Sequence, residues 1–190
     1  MIIRDCLIIA GDDDIAFKAG KDADGRRVDA PCEYCLVEDC VMEDGNGGVT
    51  VGSETTGGVR YIFARNCRMS SPNLGRPIRV KTNPNRGGRV EQLYFRNFTV
   101  GEADDSAVEV ALDYANVTEG SYYPTVRDIE IDNVMVQSAE RALYLIGNVG
   151  NPIRDVRLSN CEFIAMAEPD IIRHVEGLKL KNVTNGGVPY

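Results

Sequence analysis

Residues 94–100 read YFRNFTV, and this short pattern recurs along the whole chain. Apolar residues lead to an Asn or Asp, and a small or apolar residue follows it. The other copies read IIRDCLI, LVEDCVM, FARNCRM, EIDNVMV, RLSNCEF and KLKNVTN. The polar position falls at Asp5, Asp39, Asn66, Asn97, Asn133, Asn160 and Asn182, with spacings of 34, 27, 31, 36, 27 and 22 residues. A fixed pattern with variable insertions is typical of a solenoid with one copy in each coil.

A second apolar segment follows each of the first six polar positions after ten to twelve residues. These segments read IAFK, VTVG, IRVK, VEVA, LYLI and DIIR, and their β-branched and aromatic residues favour strands. Sustained helical periods and helix caps are absent. We therefore predict an all-β fold, a right-handed parallel β-helix of about seven coils that forms one domain over residues 1–190. The recurring Asn residues should stack from coil to coil, with each amide bonding the next.

A leucine-rich repeat is the main alternative to the β-helix. It is disfavoured because the LxxLxLxxN spacing and the helical segments are both missing.

Composition excludes several classes of function. The net charge of -8 leaves no basic stripe for nucleic acid, and no apolar run is long enough to span a membrane. Cys32 and Cys35 form a CxxC, but no second CxxC or nearby His completes a zinc site. We interpret most of the six cysteines as small buried apolar residues and expect no metal or cofactor.

The N-terminal segment IIRDCLII reads as a repeat strand without a preceding cap. We expect that coils and a cap precede it in the full protein, or that another chain covers this edge. Unpaired edge strands recruit other strands, and Arg4 and Asp5 could pair across a symmetric contact. This predicts a homodimer, or higher association, through the N-terminal coil.

The segment GDDDIAFKAG places Asp12, Asp13 and Asp14 at the start of a second strand. Three adjacent carboxylates form either a solvated acidic turn or a site in which one carboxyl keeps its proton near neutral pH. Asp12 and Asn46 each lie seven residues after their coil's polar marker, so they should be neighbours.

Two cations on a later coil extend this surface. Arg79 and Lys81 alternate with Ile78 and Val80, so both should point outward, and Tyr114 follows on the next coil. A solvated basic face is one interpretation of IRVKT. The other is a site for an acidic sugar, in which Arg79 and Lys81 bind a carboxylate and the aspartates serve glycoside hydrolysis.

The segments GDDDIAFKAG, GNGGVTVGSE, SPNLGRPIRVKT and VALDY resemble, in order and spacing, those of the pectin-degrading polygalacturonases, glycoside hydrolase family 28. This resemblance implies a right-handed parallel β-helix and inverting hydrolysis of α-1,4-linked galacturonate, an acidic polysaccharide, outside the cell or in the periplasm. It implies that Asp12 is the general acid and Asp13 part of the base. Arg79 and Lys81 would bind the substrate carboxylate, and Tyr114 would line a subsite. The resemblance assigns no role to Asp14.

The chain departs from that family at two places. The family's Asn-Thr-Asp segment would fall before Met1, and Asn46 stands in GNG where the family has Gly-His-Gly. Asn cannot exchange protons, and we interpret the only histidine, His174, as structural or on the surface. We therefore expect strongly impaired turnover. The alternatives are a non-catalytic galacturonan binder and a structural β-helix segment.

Overall fold

The computed structural model describes residues 1–190, and most of these residues lie in strands. In chain order the elements are β1 (Ile2–Arg4), β2 (Leu7–Ile8), β3 (Asp13–Phe17), α1 (Asp22–Val28), β4 (Cys32–Glu38), β5 (Val41–Met42), β6 (Gly47–Gly52), β7 (Val59–Met69), β8 (Arg76–Lys81), β9 (Arg89–Glu102), β10 (Ser106–Ala111), a 3-10 turn (Tyr114–Asn116), β11 (Thr125–Ala139), β12 (Arg141–Ile146), β13 (Ile153–Met166), β14 (Ile171–Arg173), β15 (Val175–Glu176), β16 (Lys179–Asn185) and β17 (Val188–Pro189).

Two sheets run along the molecule, and each coil adds one strand to them. The larger sheet has the order β1-β4-β7-β9-β11-β13-β16-β17, and the smaller has the order β3-β6-β8-β10-β12-β14. All pairings are parallel except β16 with β17. Seven strands of the larger sheet come from the seven repeats, so the parallel β-helix and its coil number are confirmed.

The repeated Asn or Asp is the point where the long strands bend. Asn66, Asn97, Asn133 and Asn160 all have φ between 54° and 57°, a left-handed conformation that Asn tolerates better than most residues. Their amides also form the predicted ladder. The Nδ2 of Asn97 donates to Asn66 at 2.9 Å, and the Nδ2 of Asn133 donates to Asn97 at 2.9 Å.

The ladder has one irregular step. The Nδ2 of Asn160 donates to Asp132 at 2.9 Å rather than to Asn133. Asp132 also accepts a hydrogen bond from Ser159, and these contacts hold the pKa of its carboxyl below the usual range.

Apolar side chains from both sheets meet in one continuous core of 42 buried residues. Its largest members include Phe17, Phe95, Phe98 and Phe163. Four of the six cysteines (Cys35, Cys40, Cys67 and Cys161) are buried and all six thiols are free, which agrees with their interpretation as apolar residues. Burial raises the pKa of Cys67 to about 11.

One short helix, α1, interrupts the strands, and the sequence pattern did not indicate it. This helix spans only seven residues, too few to show an apolar period. Its acidic first turn (Asp22, Asp24) and basic last turn (Arg26, Arg27) complement the helix dipole. Gly25 lies against Gly20 and Thr56, where a Cβ would be only 2.8 and 2.7 Å from their atoms. The helix of this chain is too short and too polar to cross a membrane.

Candidate active site

The three aspartates have different environments although they are consecutive in the chain. Asp12 is exposed, and its Oδ1 accepts a hydrogen bond from the Asp13 N–H at 2.9 Å. The Asp13 side chain is only 5% exposed because it lies on the outer face of β3 against cations from β8. Asp14 points to the other side of the strand, where both carboxylate oxygens are buried without a hydrogen-bond partner. The simple solvated turn therefore describes Asp12 alone.

The structure brings Arg79 and Lys81 to Asp13, as the alternation in β8 predicted. Lys81 Nζ lies 2.6 Å from Asp13 Oδ2, and Arg79 NH1 lies 3.4 Å from Asp13 Oδ1. The two side chains point away from the core yet are only 7% and 10% exposed. The alternative of a solvated basic face is therefore wrong, because carboxylates of other coils, Asp13 on β3 and Glu109 on β10, contact these cations.

Glu109 on β10 fixes the guanidinium group of Arg79. Its Oε1 accepts from Arg79 Nε at 2.8 Å, and its Oε2 accepts from Arg76 Nε at 2.6 Å. Arg76 also pairs with Asp105, which lies directly before β10. Sequence reasoning missed Glu109, Arg76 and Asp105. The available signal was register, since Glu109 pairs with Arg79 and opposite charges at paired positions stabilise a sheet.

Asn46 lies next to the aspartates, as its position in the repeat predicted. Its backbone N–H donates to the Asp12 carbonyl oxygen at 3.0 Å, and its side chain is exposed. The next residue, Gly47, lies under the site. A Cβ there would be 2.7 Å from Asp13 Oδ1 and would collide with Thr50 Oγ1. Glycine is therefore required for Asp13 to pack in this position.

Tyr114 stands at the far end of the same surface, in the turn after β10. Lys81 Nζ lies 5.5 Å from the centre of its ring, within range of a cation–π interaction. The Tyr114 carbonyl also accepts a hydrogen bond from Asn83 at 3.1 Å. An open pocket of about 230 Å³ lies here, between Arg79, Glu109 and Tyr114.

Asp14, which had no predicted role, is the aspartate with the most unusual environment. Its pKa is raised to about 7, mainly by burial; the nearby Ala10 backbone partly opposes this rise, and the carboxylates of Asp44 and Asp13 add to it. Sequence reasoning had assigned the protonated carboxyl to Asp12. It gave Asp14 no role because strict alternation would place this side chain on the face opposite the core residues Ile15 and Phe17, where burial is not expected.

His174 is exposed and lies after β14, at the opposite end of the smaller sheet from β3, as its surface interpretation predicted. No group of three or more His, Cys, Asp or Glu side chains is arranged to hold a metal ion.

Comparison with known proteins places these residues in a family. The family model described as glycosyl hydrolases family 28 matches residues 1–184. A probable polygalacturonase from Vitis vinifera is 26% identical over 83% of this chain and 33% of its own length. An exo-poly-alpha-D-galacturonosidase from Dickeya chrysanthemi is 27% identical over 97% of this chain and 32% of its own length. The chain thus spans about a third of the length of these relatives.

Two solved structures share the fold. The hyperthermoactive exopolygalacturonase from Thermotoga maritima is 32% identical, with a TM-score of 0.95 over 100% of this chain and 42% of its own. The family 28 exopolygalacturonase of Yersinia enterocolitica, 19% identical, has a TM-score of 0.71 over 100% of this chain and 39% of its own. At this level of identity, the similarity between the two chains indicates a shared fold only. With a family model that matches almost every residue, this chain belongs to glycoside hydrolase family 28, the polygalacturonase type of hydrolase.

Proposed function

We propose that this chain carries the site of a polygalacturonase-type glycoside hydrolase that acts on α-1,4-linked galacturonate of pectin by inverting acid/base hydrolysis. Asp12 is the general acid and Asp13 is part of the base that activates water. Arg79 and Lys81 bind the substrate carboxylate, and Asn46 and Tyr114 contact neighbouring parts of the sugar. The observation that carries the proposal is the pairing of Asp13 with both cations beside an unpaired Asp12.

The contacts of the two carboxylates support this division of roles. Inverting hydrolysis needs one carboxyl that donates a proton and one carboxylate that takes a proton from water. Two cations contact Asp13, Lys81 at 2.6 Å and Arg79 at 3.4 Å, and these ion pairs hold its carboxylate in place. No cation contacts Asp12, which is exposed beside it and can reach a leaving-group oxygen.

The cations keep hydrogen-bond donors for a substrate carboxylate. A guanidinium group has five N–H donors and an ammonium group has three. Arg79 uses its donors on Glu109 and Asp13 only, and Lys81 donates to Asp13 only. Because both side chains are held by these partners, little conformational entropy is lost when they bind a ligand.

Binding of oligogalacturonate tests the substrate. Arg79→Ala should weaken binding by about 1–3 kcal/mol, the usual range for hydrogen bonds to charged groups. Higher salt and methyl esterification of the sugar carboxylates should also weaken it. Titration calorimetry on free and esterified oligomers measures both effects. Equal affinity for the two oligomers would contradict the role of Arg79 and Lys81.

Turnover tests the chemistry. Asn46 cannot exchange protons, so we expect little release of reducing ends from polygalacturonate. Any residual activity should disappear in Asp12→Asn, and the first product should have the inverted anomeric configuration by NMR. Asn46→His should raise turnover without fully restoring it. Vigorous hydrolysis by the unchanged chain would contradict the proposed impairment.

The alternative function is non-catalytic binding of galacturonan, and Asn46 is the observation that favours it. Carbohydrate binding with no turnover, even in Asn46→His, would support this alternative over the hydrolase. Either function places the chain where pectin occurs, and we propose an extracellular or periplasmic location for it.

A further inference from the structure

A groove of about 480 Å³ lies on the outer face of the larger sheet, away from the candidate active site. We call it the aromatic groove. Its walls are formed by Phe63 and Tyr94 on one side and Arg65 and Arg96 on the other. The candidate active site lies on the smaller sheet. Because both sheets turn their apolar side chains into one shared core, their outer faces look in different directions.

The aromatic wall is formed by two stacked rings that are partly open to solvent. Phe63 and Tyr94 are register partners on β7 and β9, and their rings stack with centroids 4.8 Å apart and planes 7° apart. Phe63 is 42% exposed. Such a wall offers an apolar contact surface to the C–H groups of a ring-shaped ligand.

The opposite wall places two like charges side by side. Arg65 and Arg96 are also register partners on β7 and β9, and like charges at directly opposed positions destabilise a sheet. Each arginine forms an ion pair on the side that faces away from the other arginine. Arg65 pairs with Glu38 on β4 at 2.5 Å, and Arg96 pairs with Asp132 on β11 at 3.0 Å. The space between the two guanidinium groups has no anion of the protein in hydrogen-bond contact with both.

The charges around this wall leave room for one more anion. Glu38 accepts hydrogen bonds from both Arg4 and Arg65, so two guanidinium groups share one carboxylate. Glu130, which also lines the groove, is paired with Arg157 at 3.1 Å. Arg65 keeps one terminal nitrogen and Arg96 keeps two without a hydrogen-bond partner in the protein.

We propose that the aromatic groove is a second carbohydrate site, which binds a uronate unit of an acidic polysaccharide. The apolar face of the sugar ring lies on Phe63 and Tyr94, and its carboxylate lies between Arg65 and Arg96. The groove reaches from β4 to β11, three strand spacings or about 14 Å, so it accommodates more than one sugar unit. The choice of galacturonate as this unit rests on the proposed function.

The test separates the two sites in the 190-residue chain. Trigalacturonate is titrated by calorimetry into the unchanged chain and into an Arg79→Ala variant, in which the candidate active site is weakened. In the Arg79→Ala background, Arg96→Gln or Phe63→Ala should weaken the remaining binding about tenfold or more. Thermal unfolding of each variant checks that it is folded.

The chain offers matched control variants outside the groove. Arg154 is likewise exposed and ion-paired, with Glu176 at 3.1 Å, and Tyr34 belongs to a second stacked pair of aromatic rings. Arg154→Gln and Tyr34→Ala should leave the remaining binding unchanged. Methyl-esterified trigalacturonate should bind the groove at least tenfold more weakly than the free acid.

The outcomes distinguish this proposal from the proposed function. If Arg96→Gln and Phe63→Ala bind as tightly as their background, the groove is not a uronate site. If Arg79→Ala alone leaves binding unchanged while the groove variants weaken it, the groove proposal holds and the proposed function fails. Loss of binding in the control variants as well would show a nonspecific effect of charge or stability and would overturn the groove proposal.

Discussion

At the scale of single residues, Asp14 lies beside the paired Asp13 with both carboxylate oxygens buried and without partners. Its pKa is raised from 3.8 to about 7, mainly by burial. The folded state therefore binds this proton more tightly than the unfolded state does. The favourable contribution is fully present below about pH 4 and is lost as the pH rises through 7.

Asp14→Asn replaces the titrating group with a neutral one of similar shape. At pH 8 we expect the variant to be more stable than the unchanged chain by about 1–2 kcal/mol, a value discounted because Asp14 is only half-buried. At pH 4 the two should be nearly equal. Urea unfolding at both pH values measures the difference, and a difference that does not depend on pH would contradict the role of Asp14 ionisation.

Gly47 determines where the Asp13 carboxylate can lie. A Cβ at this position would crowd Asp13 Oδ1 at 2.7 Å and Thr50 Oγ1, so Gly47→Ala should displace Asp13 from Lys81. We expect affinity for trigalacturonate at the candidate active site to fall by about 1 kcal/mol or more while the fold persists. The matched control is Gly11→Ala, because nothing lies within 4 Å of a Cβ at Gly11. Equal affinities for both variants would contradict this role.

At the scale of elements, the Asn ladder holds the bends of successive strands together. Asn97 is its central member, since its amide donates to Asn66 and its side-chain oxygen accepts from Asn133. Its backbone has φ 57°, which is unfavourable for residues with a Cβ other than Asn and Asp.

Asn97→Ala should therefore lose two hydrogen bonds and gain backbone strain. The expected cost is about 2–3 kcal/mol, from about 1 kcal/mol for each bond and about 1 kcal/mol for the left-handed conformation. Asn97→Gly loses the same bonds but tolerates this φ, so it should be less destabilising. Denaturant unfolding compares the two variants. If glycine destabilises as much as alanine, the conformational part of this explanation is wrong.

The coils were predictable because an Asn or Asp occupies the left-handed bend of the long strand in every repeat. Only a few residue types accept the left-handed bend, so positions such as Asn66 and Asn133 reveal the period directly. Helix α1 gives no such signal. It is a single insertion, and the contact of Gly25 with Thr56 of the next coil exists only after the coils have stacked.

The site was predictable in part, for a related reason. Alternation in β8 placed Arg79 and Lys81 on one face, and repeat spacing placed Asp12 beside Asn46. The burial of Glu109 was not predictable, because the sequence of β10 has the pattern of an ordinary amphipathic strand. The 5% exposure of Glu109 results from the arginines of the adjacent coil, which a single-strand pattern does not contain.

At the scale of the whole molecule, the first coil has strand edges that no other strand of the 190 residues covers. Each of β1, β2 and β3 pairs with a strand on one side only. Ile2, Leu7 and Ile9 are 63%, 63% and 64% exposed there. The single-domain assignment of residues 1–190 and the association through this end both stay predictions.

Exposed apolar edges favour pairing with a second copy of the chain. We expect light scattering at micromolar concentration to give a dimer or larger species. Ile2→Lys should shift it toward the monomer, because the added charge opposes edge-to-edge pairing. Val149→Lys, at an exposed apolar residue of a loop, is the control. A monomer at all concentrations would contradict the predicted association.

The stacking of coils also determines the order in which parts of this molecule unfold. Each strand of the two sheets pairs through its backbone only with strands of adjacent coils, so stability is roughly a sum of interfaces between neighbours. The longest strands, β9, β11 and β13, share the most extensive interfaces and lie inside the stack. Unfolding of the 190-residue chain should therefore begin at the outer coils, and amide protons of β9 and β11 should exchange with solvent last.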